Sequence, residues 1–444
     1  MTEGSRERAP VARREVALFL AVALALRILW MVAVGAWSTP VDLGEASRAV
    51  LAFARTGTVA DAYFDGQGPT AHFMPTMIAI GGTIERLLGP DSAAANVALS
   101  LWALAQVLAG FVLTLALFRR LGAPRRVLLL GLGVLCVVPA CIAQEAADFR
   151  VWEGALAYDL AAAGLWWMAT LTQRRVVATR ELVPVAAAVA LAFFVNPPAG
   201  LATGAAAAVF AGQRLAWRQT ARLALMTAAA ATLLIAPWAL RNRAQFGETV
   251  LLRSNFGLEL AIANHDGALA PADPRAALTT RMDAVHQTKE RFRQAGGELA
   301  YSRAVGAEAR RWIGAHPLAF VRLCWRHYRQ FYLPDTWEER ATNWEGADRF
   351  RIRVLQVIGT LGLLGLAAGL ARRCRGHAML AAYLVTVGLP YALVQPIPRY
   401  GYLAYPLLVF LAAHLVVEAA AALRRPSSPT GSAVHRVAGL PGAG

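Results

Sequence analysis

Charge is scarce in this 444-residue chain: 16% of its residues are charged, against about 25% in soluble globular domains. A single soluble enzyme is therefore excluded. Lysine is almost absent; Lys289 is the only one among 44 basic residues, so the net charge of +16 is an arginine charge. Cysteine is limited to Cys136, Cys141, Cys324 and Cys374, with no C-x-x-C pair, which leaves no disulfide framework and no zinc site. No repeat of solenoid period is visible. What the chain does have is apolar sequence, 57% of its residues and a mean hydropathy of +0.44, in runs that recur from Val16 to Val417. That pattern reads as an all-α polytopic membrane protein.

Ten apolar stretches are read as transmembrane helices, at approximately 15–37, 93–118, 126–143, 154–171, 182–196, 198–213, 221–239, 353–371, 378–395 and 403–423. A helix needs about 20 residues to cross about 30 Å of hydrocarbon, so the fifth and sixth are the shortest fits. Pro197 and Pro198 break the run between those two and predict a tight turn. Val16 to Trp37 is too long for a signal-peptide core and is read as a retained first span.

The arginines test this order. They stand before the first span (Arg6, Arg8, Arg13, Arg14) and after the second (Arg119, Arg120, Arg125, Arg126), fourth (Arg174, Arg175, Arg180) and sixth (Arg214, Arg218, Arg222). They stand again after the eighth (Arg372, Arg373, Arg375) and tenth (Arg424, Arg425). Every second loop is basic, which puts those loops and both termini in the cytoplasm. Arginines at the ends of apolar runs are a topology signal, so nucleic acid is not a partner.

Two large segments then fall on the outer face. The first outer loop, 38–92, belongs to an N-terminal transmembrane module, 1–239; the second, 240–352, has soluble-protein composition. The C-terminal transmembrane helices occupy 353–425, and the Pro/Ser/Gly-rich tail 426–444 is expected to be disordered. The apolar stretch from His72 to Leu88 is short and contains Glu85, so it is read as a helix lying in the interface.

Several outer-face groups could carry chemistry. Asp42 and Glu45 open the first loop; Asp42 as N-cap with Glu45 at N3 is a capping box, yet Glu45 at the mouth of the first span also suits a general base. Gly66 to Pro75 is a shaped loop containing Thr70 and His72, with no second ligand at a metal-binding spacing. Arg241 and Asn242 follow the seventh span; Arg253, Asn255 and Glu259 come next, and Arg399 and Tyr400 occupy the last outer loop. Outer-face arginines break the charge rule; either they snorkel to headgroups or their guanidinium forks bind a lipid phosphate. Within the spans, Arg27 and Asp159 are costly charges and candidates to pair with each other. Glu145, Asp148 and Glu153 crowd one membrane face, either as a cation site or as solvated carboxylates.

These stretches together resemble the GT-C superfamily of polytopic glycosyltransferases, in the branch of protein O-mannosyltransferases and the lipid A aminoarabinose transferase. The resemblance rests on Gly44-Glu45 with the helix to Gly57, Gly68-Pro69-Thr70-Ala71 with Pro75, Pro237-Trp238 through Asn242, Arg253 to Glu259, and Pro398-Arg399-Tyr400 with Pro406. Ala315-His316-Pro317-Leu318-Ala319-Phe320 also looks like the family's loop before the next span. The resemblance implies a polyprenyl-phosphate sugar donor, a catalytic carboxylate in the first outer loop and a donor phosphate held by outer-face arginines. Relatives often have an Asp-Glu pair where this chain has Gly44-Glu45, so Glu45 inherits the role and Asp42 is its alternate. Thr70, His72, Arg241, Asn242, Arg253, Asn255, Glu259, Arg399 and Tyr400 become the substrate-binding set; a divalent cation stays open, and no metal ligand is assigned.

The expected activity is an inverting transfer of sugar to an acceptor hydroxyl of a glycan, lipid or protein. The rival readings are a transporter or flippase of lipid-linked sugars and a non-enzymatic envelope assembly protein. No duplicated half is visible to support the transporter.

Overall fold

Backbone in hydrocarbon must satisfy its own hydrogen bonds, and for single apolar runs the helix is the local way to do so. The computed structural model describes residues 11–36, 44–269, 288–335, 345–394 and 396–424, and the described residues contain helices and no named strand. Asp42, Arg6, Arg8 and the tail 426–444 lie outside them.

The main helices are α1 (Arg13–Ala33), α2 (Glu45–Thr56), α3 (Pro75–Leu88), α4 (Ala93–Leu121), α5 (Arg125–Val137), α6 (Ile142–Ala146), α7 (Gly154–Leu171) and α8 (Val183–Val195). They continue with α9 (Pro197–Arg214), α10 (Trp217–Phe246), α11 (Phe256–Ala263), α12 (Glu298–Ala315), α13 (Pro317–Tyr332), α14 (Glu345–Ala371), α15 (His377–Leu393) and α16 (Tyr405–Leu423).

Each expected span coincides with a helix, but not every one is by itself long and apolar enough to cross a membrane. Five of them (α1, α4, α10, α14 and α16) are long and apolar enough alone to cross a membrane, and α5 with Ile142–Arg150 makes a sixth, bent by 68°. The other four, α7, α8, α9 and α15, have 18, 13, 18 and 17 residues. The molecule is a multi-pass helical membrane protein.

Proline explains the main departures. Pro139 follows the end of α5, and the chain turns there instead of running straight through the expected 126–143 span. The break between α8 and α9 is one residue: Asn196 caps α9 by accepting from Ala199 N at 3.1 Å, with Pro197 and Pro198 in its first turn. Pro237, by contrast, sits inside α10, which runs on past the expected boundary to Phe246 and stops at left-handed Gly247. Arg241 and Asn242 are therefore helical residues.

Helices in a membrane gain little from hydrophobicity and associate by close packing. In α14, a Cβ on Gly362 would lie 2.7 Å from the Leu408 carbonyl oxygen, and one on Gly365 2.2 Å from that of Leu411, so α14 and α16 meet backbone to backbone. α4 packs on α7, α9 on α15 and α10 on α8.

The intramembrane charges pair differently from expectation. Arg27 bonds to Glu145, with Nε 2.9 Å from Oε2, and not to Asp159, whose Oδ1 has no hydrogen-bond partner among the described residues. Arg27 also donates to the carbonyls of Leu135 and Cys136, each at 3.1 Å. Those carbonyls are orphaned because α5 ends beside them, so one guanidinium closes both the charge and the helix end.

Candidate active site

The first outer loop is held by side chains from distant parts of the chain. Arg241, near the end of α10, donates to the carbonyls of Thr70 at 2.8 Å and Val59 at 2.5 Å, and to Asn242 Oδ1 at 2.9 Å. Asn242, fully buried, donates to Val250 O at 2.9 Å, and Trp238 Nε1 to Leu252 O at 2.8 Å. Thus Arg241, Asn242 and Thr70, expected to contact substrate, form the frame on which the 59–73 loop and the 250–256 stretch are hung.

Glu298 completes that frame. It opens α12 behind Gly296 and Gly297, both in the left-handed region, at φ 87° and 112°. Its carboxylate accepts from Ala71 N at 3.1 Å, Gln67 Nε2 at 2.6 Å and Ser254 Oγ. Sequence reasoning passed over it; the available signal was an acidic residue at a helix start behind a glycine pair. Glu298→Ala leaves the Ala71 amide and the Gln67 side chain without their acceptor. A loss of about 1–3 kcal/mol is expected, read as a lower unfolding temperature and faster protease cleavage between residues 59 and 73.

His72 belongs to the loop's packing. Its Nδ1 lies 2.6 Å from the Tyr63 hydroxyl, and its ring stands edge-on to Phe73. Burial, helped by the Arg253 charge, pushes its pKa down to about 3, from an ordinary 6.5. The unfolded chain therefore binds a proton here below about pH 6.5 that the folded chain refuses until about pH 3. Stability present above pH 6.5 is lost on acidification, by ~1.4 kcal/mol per pH unit well below that point. Denaturation of His72→Gln between pH 7 and 4 should show an acid slope shallower by one proton; an unchanged slope would disprove the assignment.

On the inner side of this frame the remaining candidates come together. Glu45 is the first residue of α2, behind Gly44 at φ 57°, so the helix starts at Glu45 and does not place it at the third turn position as a capping box requires. Glu45 and Glu259 lie within range of each other's charge. The Glu259 carboxyl is pushed up by burial first and by Glu45 second, against the opposing pull of Arg253 and Arg399. Asn255 donates to Glu259 Oε1 at 3.2 Å.

Arg253 is ion-paired to Glu153 at the start of α7. Arg399 lies over Trp152 at 5.7 Å and Tyr400 at 5.6 Å, and Tyr400 stacks on Tyr391 with ring centres 4.8 Å apart. Burial pushes the Tyr400 hydroxyl up to about 12, so it stays protonated. The buried Nε atoms of both Arg253 and Arg399 have no hydrogen-bond partner among the described residues.

This arrangement offers two carboxyls within range of each other's charge, two guanidiniums with an N–H unspent and an aromatic wall. The donor set suits a metal poorly, since Glu145 and Glu153 are each engaged by an arginine and no group of three His, Cys, Asp or Glu side chains gathers among the described residues.

Neither a protein-family model nor a curated protein matches the sequence. Solved structures do. The apo oligosaccharyltransferase of Archaeoglobus fulgidus matches over 93% of this chain and 51% of its own, with a TM-score of 0.54 and 12% identity. The same archaeal protein, AglB, in complex with an inhibitory peptide and a dolichol-phosphate matches over 92% and 50%, with a TM-score of 0.52 and 13% identity. ArnT from Cupriavidus metallidurans bound to undecaprenyl phosphate covers 92% of this chain and 79% of its own at 14% identity, with a TM-score of 0.41. The chain spans about half the length of the archaeal protein, and at this identity the likeness is one of fold: the chain resembles the GT-C glycosyltransferases in architecture.

Proposed function

We propose that this GT-C-like chain is an inverting membrane glycosyltransferase that moves a sugar from a polyprenyl-phosphate donor to an acceptor hydroxyl at the outer face of the bacterial inner membrane. The observation that carries this reading is the convergence of Glu45 and Glu259 with two guanidiniums, Arg253 and Arg399, each with an unspent N–H. The archaeal structure of the same fold contains a dolichol-phosphate, which is the donor chemistry this site would take.

In this reading Glu45 takes the proton of the acceptor hydroxyl as its oxygen attacks the anomeric carbon. The bond from that carbon to the phosphate oxygen breaks, and polyprenyl phosphate leaves. Arg253 and Arg399 neutralise the charge growing on it, with Tyr400 as a protonated neighbour. Arg241, Asn242, Thr70 and His72 position the loop that presents Glu45. A groove of about 650 Å³ lined from Leu225 to Leu240 along α10 would take the prenyl tail. The ten-span topology, with 38–92 and 240–352 outside and both termini in the cytoplasm, is part of the same proposal.

The test supplies purified protein in detergent with radiolabelled polyprenyl-phosphate sugars and membrane extract as acceptor. Label passing from donor to product is expected. Donor that, with the protein reconstituted in vesicles, crosses the bilayer unconsumed would replace this reading with a transporter, and no donor binding at all would favour an assembly protein.

A further inference from the structure

The other end of the bundle holds a second constellation. Glu153 stands at the start of α7 and Thr172 just past its end, and an 18-residue helix is ~27 Å long, so the two sites lie on opposite faces. Around Thr172 a cavity of about 580 Å³ is lined by Arg119, Arg120, Arg174, Arg175, Arg214 and Arg375, and by no carboxylate. These arginines come from the ends of α4 and α9 and from the connections that follow α7 and α14. Among the described residues only Arg174 is neutralised, by Glu181; Arg214 donates to the Arg174 carbonyl at 2.6 Å.

A second cavity, of about 440 Å³, shares Thr172, Arg214 and Arg375 with the first. It runs between Phe210, Leu370 and Met379, a partly apolar cleft bordered by α9, α14 and α15 and also lined by Gln213 and Arg373. A charge rule for membrane loops explains why arginines lie at this end. It does not explain why six of them from four chain segments share one concavity that opens into a partly apolar cleft. With Arg174 paired to Glu181, five guanidiniums remain in one concavity; solvent screens their repulsion because all are exposed, an anion among them relieves it further, and their planar forks match phosphate oxygens.

We propose that this cavity pair is a binding site for an anionic phospholipid, with the phosphate headgroup among Arg119, Arg120, Arg175 and Arg375 and an acyl chain in the cleft beside Phe210 and Met379. Both parts of the site are needed: inorganic phosphate would use the first cavity alone, and a zwitterionic lipid would bring no net charge to offset the arginines.

Native mass spectrometry of the full chain in uncharged detergent tests this, with phosphatidylglycerol, phosphatidylcholine and inorganic phosphate as separate probes. Phosphatidylglycerol should bind preferentially. Arg120→Ala/Arg375→Ala should weaken it about 25-fold, about fivefold for each charge, while the double replacement by lysine, which keeps the charge and loses the fork, should weaken it less. Arg218→Ala/Arg222→Ala, which removes two charges at the same end outside the cavity, should change little. An equal loss in that control would reduce the effect to diffuse surface charge, and phosphate binding as tightly as the lipid would reduce the site to an anion hole; either overturns the proposal. An unchanged unfolding temperature in phosphatidylcholine shows that the alanine variant is folded.

Discussion

Glu45→Gln should lower sugar transfer by a factor of about 10²–10⁴ while donor binding persists. The amide keeps the shape of the side chain at the first position of α2 but cannot accept the acceptor's proton. The comparison that gives the experiment its force is Glu259→Gln. Glu259 lies within range of the Glu45 charge; its carboxyl is raised by burial first and by Glu45 second, against the opposing pull of Arg253 and Arg399. If Glu45 is the base, Glu259→Gln should alter donor affinity more than turnover. A Glu45→Gln enzyme that turns over at the wild-type rate would remove Glu45 from the reaction, and a large loss of turnover in Glu259→Gln alone would move the role to that residue.

The second large effect is on stability. Arg27→Met should destabilise the protein by about 3–5 kcal/mol, because it leaves the Glu145 carboxylate buried with no counter-charge. Both side chains are only 2% exposed, so neither water nor salt can compensate. The variant also abandons the carbonyls of Leu135 and Cys136 at the bend after α5. Arg27→Leu/Glu145→Leu should recover part of the loss by removing both charges, the remainder belonging to those carbonyls. Thermal unfolding in detergent measures all three. A single variant that unfolds at the wild-type temperature would show that the pair contributes nothing to holding α1 against the bend.

These two predictions differ in how they were reached. Glu45 was visible as an acidic residue behind a glycine at the start of an amphipathic helix, in a loop expected to hold the base. Glu259, more than 200 residues on, was placed in the substrate-binding set only by the resemblance; that it lies within range of the Glu45 charge is a matter of folding. Arg27 was visible as an intramembrane charge, and intramembrane charges need partners. Asp159 was a reasonable partner by type. Glu145 won because Pro139 ends α5 early and turns the following segment by 68°, which brings a carboxylate and two orphan carbonyls to the same guanidinium. Glu298 went unseen for a related reason: two of its three contacts, to Gln67 and Ala71, reach back 231 and 227 residues and the third, to Ser254, 44, and no local pattern records them.

What the sequence determined by itself is what depends on near neighbours. Apolar runs impose helices because backbone hydrogen bonds close within a few residues; prolines and glycines place the ends, and arginines at alternate ends set an expected topology. The tertiary structure decided which charges are spent and which are left over. Arg241 and Arg399 look alike in the sequence, each an arginine beside aromatic residues on the expected outer face. The fold commits Arg241 to the carbonyls of Val59 and Thr70 and leaves Arg399 over Trp152 with its Nε unpaired. A guanidinium has five N–H donors, and what they do depends on acceptors brought from elsewhere in the chain. Distances between residues far apart in sequence are set only when the helices pack.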